Sequence, residues 1–350
     1  MALKSETNLN AGDQSTNNQA QTINNHYTGI TYTDAKAIAT DVFKDNFIKL
    51  RDEAAEIATQ RALEFSEKLL TKIEAQSPEA LNEFASPGMQ DSLFTAQKEY
   101  AINGDDEMAD MLVEILIERA QNTQKNRLRI VLDESLKIAP KLTVHQMDLL
   151  TVTHIIRRTY FQNLGTFDDM IKRMNHYYNV MDFIDQSQVD QDLGLLEYMR
   201  LGKIHITEYP SPMSSWITNY PEYLNYGFKS DQCPIPEINS SQLFIPNFHK
   251  SENIQFRFPK LKYLTETLKS YHLTDERINH IQTFYNSNLL SQDQVTDAMR
   301  GKLINLEKII EMHNQTQWSS FELSPVGHAI AISNFHRRTK EKLDMGIWIK

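Results

Sequence analysis

A run of 44 residues without glycine or proline, Thr33 to Gln76, constrains this chain more than any other stretch. It reads TDAKAIATDVFKDNFIKLRDEAAEIATQRALEFSEKLLTKIEAQ. Alanine, leucine, glutamate, lysine, arginine and glutamine dominate it, and these residues lose least on entering a helix. Thr33 or Asp34 offers an oxygen to the first-turn N–H groups. Ser77-Pro78 ends the run, because proline disfavours the helical region in the residue before it. The stretch predicts a single helix of about 65 Å. Its apolar stripe is Phe43, Phe47, Leu50, Ala54, Ile57, Phe65, Leu69 and Ile73, with Arg61 in the gap between Ile57 and Phe65, flanked by small Ala58 and Ala62. The opposite face is charged. A helix this long needs neighbours to cover its stripe, and the stripe suits either a first core helix or a self-associating stalk.

Residues 1–31 are polar and rich in Asn, Gln and Thr. That composition suits a disordered tail. It also suits a short strand that forms only when copies stack and their Asn, Thr and Gln side chains ladder, followed by a turn at Gly29. On the assembly reading, oligomerisation uses Ile23 and Ile30 of this segment together with Phe43, Phe47, Leu50, Ala54 and Ile57. A homo-oligomer is the expected state.

Residues 32–76 are thus the long helix, and 77–200 read as a helical bundle with short breaks at Ser86-Pro87-Gly88, Asn103-Gly104, Pro140 and Asn163-Leu164-Gly165. Short loops between helices imply antiparallel neighbours. Thr143 caps the helix that follows Pro140. From 201 to 350 the character changes. Seven prolines interleave with aromatic residues between 207 and 259, which predicts irregular chain with short strands near HITEY, SQLFI and IQFRF. Helices then return. Leu303, Leu306 and Ile310 on one helix, a strand-like Phe321-Glu322-Leu323, and Ser324-Pro325-Val326-Gly327 opening another helix predict the tail of a winged-helix-like module. The fold class expected is mainly α: a long N-terminal helix, a helical bundle, and that C-terminal module with its Pro/aromatic-rich insertion.

Composition narrows the function classes. At 350 residues the chain has length for two domains. Its net charge is −10, and acidic residues outnumber basic ones about two to one between Tyr32 and Ala120, which argues against non-specific nucleic-acid binding there. The one cysteine, Cys233, excludes an internal disulfide framework, fits a reducing compartment and cannot build a multi-cysteine metal site. The first residues lack the apolar core of a signal peptide, and no apolar run approaches the roughly 20 residues of a membrane span. A cytoplasmic location away from membranes is expected.

The chemistry is sparse. No GxxxxGKS/T, GxGxxG or GxSxG occurs, so nucleotide-dependent and α/β-hydrolase chemistry lack support. The eleven histidines are scattered and form no HExxH. No metal and no cofactor is expected. Arg200-Leu-Gly-Lys-Ile-His205 has the R-x4-H spacing of the helical HEPN ribonucleases, in which Arg200 and His205 would polarise a phosphodiester. It departs from that pattern at Leu201, where a polar residue is usual, and Gly202 weakens a helical setting. A winged helix points to DNA, yet its candidate recognition helix mixes Arg300, Lys302 and Lys308 with Asp293, Asp297, Glu307 and Glu311. The basic cluster around Arg337 and Arg338 is the candidate nucleic-acid contact. A protein-binding winged helix fits this charge pattern better.

Several pieces carry a resemblance. They are GDQSTNNQAQTIN, YTDAKAIATDVFKDNFIKLRDEAAEIA, EYAINGDDEMADMLVEILIERAQ, VLDESLKIAPKLTVHQMDLLTV, FELSPVGHAIAISNF and the terminal IWI. The combination resembles, over nearly the whole chain, a family of bacterial cytoplasmic proteins known by locus tags. Its layout is also similar to the abortive-infection alpha family, whose closing Leu-Thr-x-x-Gly segment is matched in kind by Leu323-Ser-Pro-Val-Gly327. The resemblance implies a bacterial protein of antiphage defence and supplies no catalytic residues. The function expected is an oligomeric helical scaffold or sensor acting through protein interaction. The alternatives are a HEPN-like ribonuclease using Arg200 and His205, or a winged-helix DNA-binding regulator.

Overall fold

The computed structural model describes residues 29–46, 52–236 and 240–349. Local chemistry sets most helix starts. Where a hydroxyl, amide or carboxylate precedes a helical run, its side chain accepts a first-turn N–H. Ser86 accepts from Met89, Asp105 from Glu107 and Met108, Asn126 from Arg129, Thr166 from Asp169 and Ser324 from Gly327. Thr143 and Gln146 exchange such bonds in both directions, a complete capping box.

The first third holds α1 (Tyr32–Asn46), α2 (Asp52–Gln76), α3 (Pro87–Asn103) and α4 (Asp106–Gln121). The middle holds α5 (Arg127–Ile138), α6 (Val144–Arg158), α7 (Phe167–Tyr178), α8 (Val189–Tyr198), strand β1 (Gly202–Ile204) and α9 (Pro212–Asn219). Next come α10 (Ser240–Leu243), β2 (Phe244–Pro246), β3 (Ile254–Phe256), α11 (Leu261–Ser270) and α12 (Asp275–Ser287). The chain closes with α13 (Gln292–Met299), α14 (Leu306–Gln315), β4 (Phe321–Leu323) and α15 (Pro325–Thr339). The protein is mainly helical, as its sequence predicts.

One hydrophobic core runs through most of the chain, from Ala35 to Ile349. Its centre is α15, which lies against α6, α4 and α5. The α6–α15 contact is locked by buried polar groups. Asp148, fully buried, accepts from Asn334 Nδ2 at 2.8 Å and from Arg338 Nε and Nη2 at 3.0 and 2.6 Å. Thr151 Oγ1 accepts from Asn334 and donates to the Ala331 carbonyl. A second core, Phe228 to Tyr285, is separate. This satellite module holds α10, the β2–β3 hairpin, α11 and α12. The chain enters and leaves it side by side, through a β-bridge between Asn225 and Leu289, so the module is an insertion.

Two expectations meet a different structure. In place of a single helix from Thr33 to Gln76 there are α1 and α2, packed side by side. Phe43 clusters with Ala58 and Ala62, and Lys36 Nζ lies 3.7 Å from Glu67 Oε1. In one continuous helix those two residues would stand about 46 Å apart. The reversal buries the α1 stripe inside its own chain, and Ala58 and Ala62 provide the small surface that lets the two helices approach. In place of a winged helix, β4 pairs antiparallel with β1, Gly202 opposite Leu323, Lys203 opposite Glu322 and Ile204 opposite Phe321. The helix after it is the centre of the main bundle, where α4, α5 and α6 enclose it. The terminal Met-Gly-Ile-Trp-Ile-Lys, expected as a strand, forms a 3₁₀ turn over Met345–Ile347 with Met345 and Ile349 buried.

Candidate functional site at the β1–β4 seam

The densest polar constellation lies where α6 ends against β4. The last turn of α6 carries Arg157 and Arg158, cations at the negative end of the helix dipole. In β4 the side chains alternate, so Phe321 and Leu323 turn inward and Glu322 faces out. β1 approaches so closely that a Cβ on Gly202 would lie 2.1 Å from Phe321 Cζ and 2.6 Å from the Glu322 carbonyl oxygen. Only glycine passes there. The chain then delivers His205, whose N–H donates to the Ser320 carbonyl.

Arg157 is spent on structure. Its Nη groups donate to the carbonyls of Phe321 and Trp318, and its guanidinium stacks between the rings of Tyr209 and Trp318, 4.6 and 4.5 Å from their centroids. Burial pulls its pKa down to about 10. Glu322 gathers the exposed side of the seam. One carboxylate oxygen lies 3.2 Å from Arg158 Nη2, the other 3.0 Å from His205 Nε2. Burial and a hydrogen bond to Glu322 raise the Tyr209 hydroxyl. Beneath, His154 and His328 place their Nδ1 atoms 2.9 Å apart, so one ring donates and the other accepts. Burial holds both neutral, with pKa values lowered to about 3 and about 4, and the nearby Arg158 adds to the effect. Trp348 caps this pair, edge-on to His154. A small crevice of about 10 Å³, room for about one water, lies between Arg157, Arg158, Tyr209, Glu322 and His328.

The two residues of the R-x4-H spacing do not share a helix. Arg200 is exposed, in the left-handed region at φ 62°, in the turn after α8, and its N–H donates to the Glu197 carbonyl. His205 follows β1. The cation beside His205's carboxylate partner is Arg158, not Arg200. Sequence reading missed Arg158 and Glu322 because they lie 164 residues apart; the signals were the paired arginines closing an apolar helix and a lone acid inside a strand-like tripeptide.

The basic cluster near the C-terminus is also internal. Arg338 chelates the buried Asp148 and lies 4.0 Å over the Phe183 ring. Arg337 donates to Asn334 and to Glu107 at 2.7 Å. Both guanidinium groups are committed to protein partners and neither is presented to a phosphate backbone. Of the assembly residues, Phe43 is buried, Ile30 packs on the main core, and Ala54 and Ile57 are exposed. Ile23, Phe47 and Leu50 lie outside the described residues.

Ser333, His336 and Glu114 invite a hydrolase reading. His336 Nε2 is 3.2 Å from Glu114 Oε2, and Ser333 precedes it by one turn of α15. Ser333 sits in the helix interior, where backbone N–H groups are consumed by the helix and none is aimed at a developing oxyanion. Among the described residues no group of three or more His, Cys, Asp or Glu could hold a metal ion, and no helix is long and apolar enough to cross a membrane.

A family model of locus-tag-named proteins matches residues 29–349. No curated protein and no solved structure matches the chain.

Proposed function

This chain belongs to the locus-tag-named family whose model it matches over residues 29–349, and we propose that it acts as an oligomeric helical scaffold or sensor working through protein contacts. The observation that carries this reading is the apolar surface left in solvent at the α2–α3 end. Ile57 is 48% exposed and Ile102 is 54% exposed. Arg61, one turn after Ile57, donates to the carbonyls of Ala101 and Ile102 at 3.1 and 3.3 Å and ties α2 to the end of α3. Ala54, about one turn before Ile57, is exposed as well. Burying two isoleucines per copy favours association, and small Ala54 permits close approach. A second apolar surface, with Tyr198 at 84% and Ile206 fully exposed around β1, is where a protein partner would dock. The seam beside it supports this reading over turnover, since its charged groups are paired with one another.

The test is the solution mass of the full chain beside Ile57→Asp/Ile102→Asp, by light scattering. A defined oligomer that the double variant reduces supports the proposal. A monodisperse monomer at micromolar concentration removes it. The setting proposed is antiphage defence, on the resemblance to the abortive-infection alpha family. Phage plating on cells with and without the protein checks it, and equal efficiencies across a broad phage panel would end it.

One observation favours a second reading, a ribonuclease. His205 Nε2 lies 3.0 Å from Glu322, an acid–base pair with Arg158 alongside as an electrophile. RNA cleavage by the purified protein that His205→Ala abolishes would promote it. Cleavage unchanged by that substitution would exclude it.

A further inference from the structure

Away from the seam, two guanidinium groups converge on the N-terminus of α3. Arg119, on α4, is fully buried at 0% exposure. Its Nε donates to Asp133 at 2.7 Å, and its Nη1 stands 3.9 Å from Glu83, beyond hydrogen-bond reach. Neither Nη1 nor Nη2 has a hydrogen-bond partner. Both atoms are donors, and an unmatched buried donor on a cation is among the least favourable groups a fold can hold. The direction in which Arg119 points is defined by Gly88. A Cβ on that residue would lie 3.2 Å from Arg119 Nη2 and 2.8 Å from Arg129 Nη2. Two like charges therefore meet over one backbone position.

That position is the second residue of a 17-residue helix. Its N–H belongs to the first turn, which has no intrahelical acceptor, and the helix dipole adds positive potential. Ser86 already caps Met89 and leaves Gly88 free of that bond. Arg129 is held from behind, its Nη1 donating to the Thr123 carbonyl. Asp133 and Glu83 balance the two arginines in formal charge, but Asp133 is engaged with Arg119 Nε and with Ser92 Oγ, and neither carboxylate reaches the Nη groups. Gly88 and Arg129 are partly exposed, while Arg119 is buried behind them.

We propose that the N-terminus of α3, with Arg119, Arg129 and Gly88, binds a tetrahedral oxyanion of the phosphate type. One oxygen takes the Nη groups of Arg119, a second takes Arg129 Nη2, and a third accepts the Gly88 N–H. Guanidinium donors and a helix N-terminus are the two devices that recognise such an anion. A Cβ at this position would press on the tips of both guanidinium groups and shift them from where they converge.

The experiment uses the full chain and measures thermal stability and calorimetric binding with inorganic phosphate against sodium chloride at matched ionic strength. Phosphate is expected to raise Tm and to bind at one site per chain. Arg129→Ala removes a partly exposed cation and is expected to weaken binding about ten- to hundredfold. Gly88→Ala leaves every charge in place and is expected to weaken it at least tenfold by pushing the two guanidinium tips apart. Adenosine monophosphate is the second ligand. Tighter binding than phosphate assigns the site to a phosphomonoester, and weaker binding assigns it to the free anion. Equal Tm in phosphate and chloride overturns the proposal. So does a phosphate effect that survives in both variants.

Discussion

Around Asp148 the main bundle buries a charge; around Phe256 the satellite module buries rings. In the bundle, Asp148, Asn334, Thr151, Arg337 and Arg338 form a connected polar interior between α6 and α15. In the satellite, Phe228 sits 5.6 Å from Phe244, 5.6 Å from Phe256 and 4.9 Å from Phe284, in edge and tilted contacts. The difference follows from size and position. The bundle is large enough to seal a charged network from water, and that network fixes how α15 slides against α6. The satellite is a small insertion whose rings fill volume without needing a matched partner for each atom.

The largest effect should come from the bundle. Asp148→Ala leaves Arg338 and Arg337 partly buried beside an unmatched site, and should destabilise by about 4 kcal/mol. Denaturant titration followed by tryptophan emission measures it, because Trp216, Trp318 and Trp348 all lie outside the satellite. Phe256→Ala should cost about 3 kcal/mol, confined to the satellite. Hydrogen exchange should rise in α11 and α12 while tryptophan emission stays unchanged. A shift in that emission would show that the two cores unfold together and would erase the distinction.

The histidine pair gives the bundle a pH dependence. The folded pKa values of His154 and His328 lie below the ordinary 6.5. Unfolded chain therefore binds protons that the fold refuses, and stability rises with pH. It is full above about pH 6.5 and is lost as pH falls toward about 4. By pH 5.5 the pair should have cost roughly 3 kcal/mol. His328→Gln should flatten that slope by about half in melts followed between pH 7.5 and 5. The smallest effect belongs to the surface. Glu67→Ala removes an exposed ion pair with Lys36 and should change stability by less than about 0.5 kcal/mol. A larger loss would mean that the α1–α2 contact depends on charge and not on Phe43.

How much of this could be read from residues alone differs by element. Thr143 and Ser324 were legible as helix starts, since a cap and its N–H lie within three residues of each other. The α1–α2 reversal was not. Phe43 and Ile73 carry the same three-and-four spacing in one helix as in two, and periodicity does not record direction. The seam was half legible: His205 stood out for its spacing to Arg200, while its partner Glu322 arrives by pairing with a strand more than a hundred residues earlier. Arg337 and Arg338 read as a solvated basic face because the carboxylate that claims them sits in the middle of α6.

By itself the sequence determined the helical class, the helix starts and the irregular, proline-rich stretch, because each depends on backbone preferences that act over a few residues. Tertiary structure decided the rest. It chose which stripe faces which, turned the C-terminal cations inward, made α15 the centre of the bundle, and set two arginines over Gly88. Those choices depend on burying surface and charge between segments distant in the chain, and no local pattern specifies the partner.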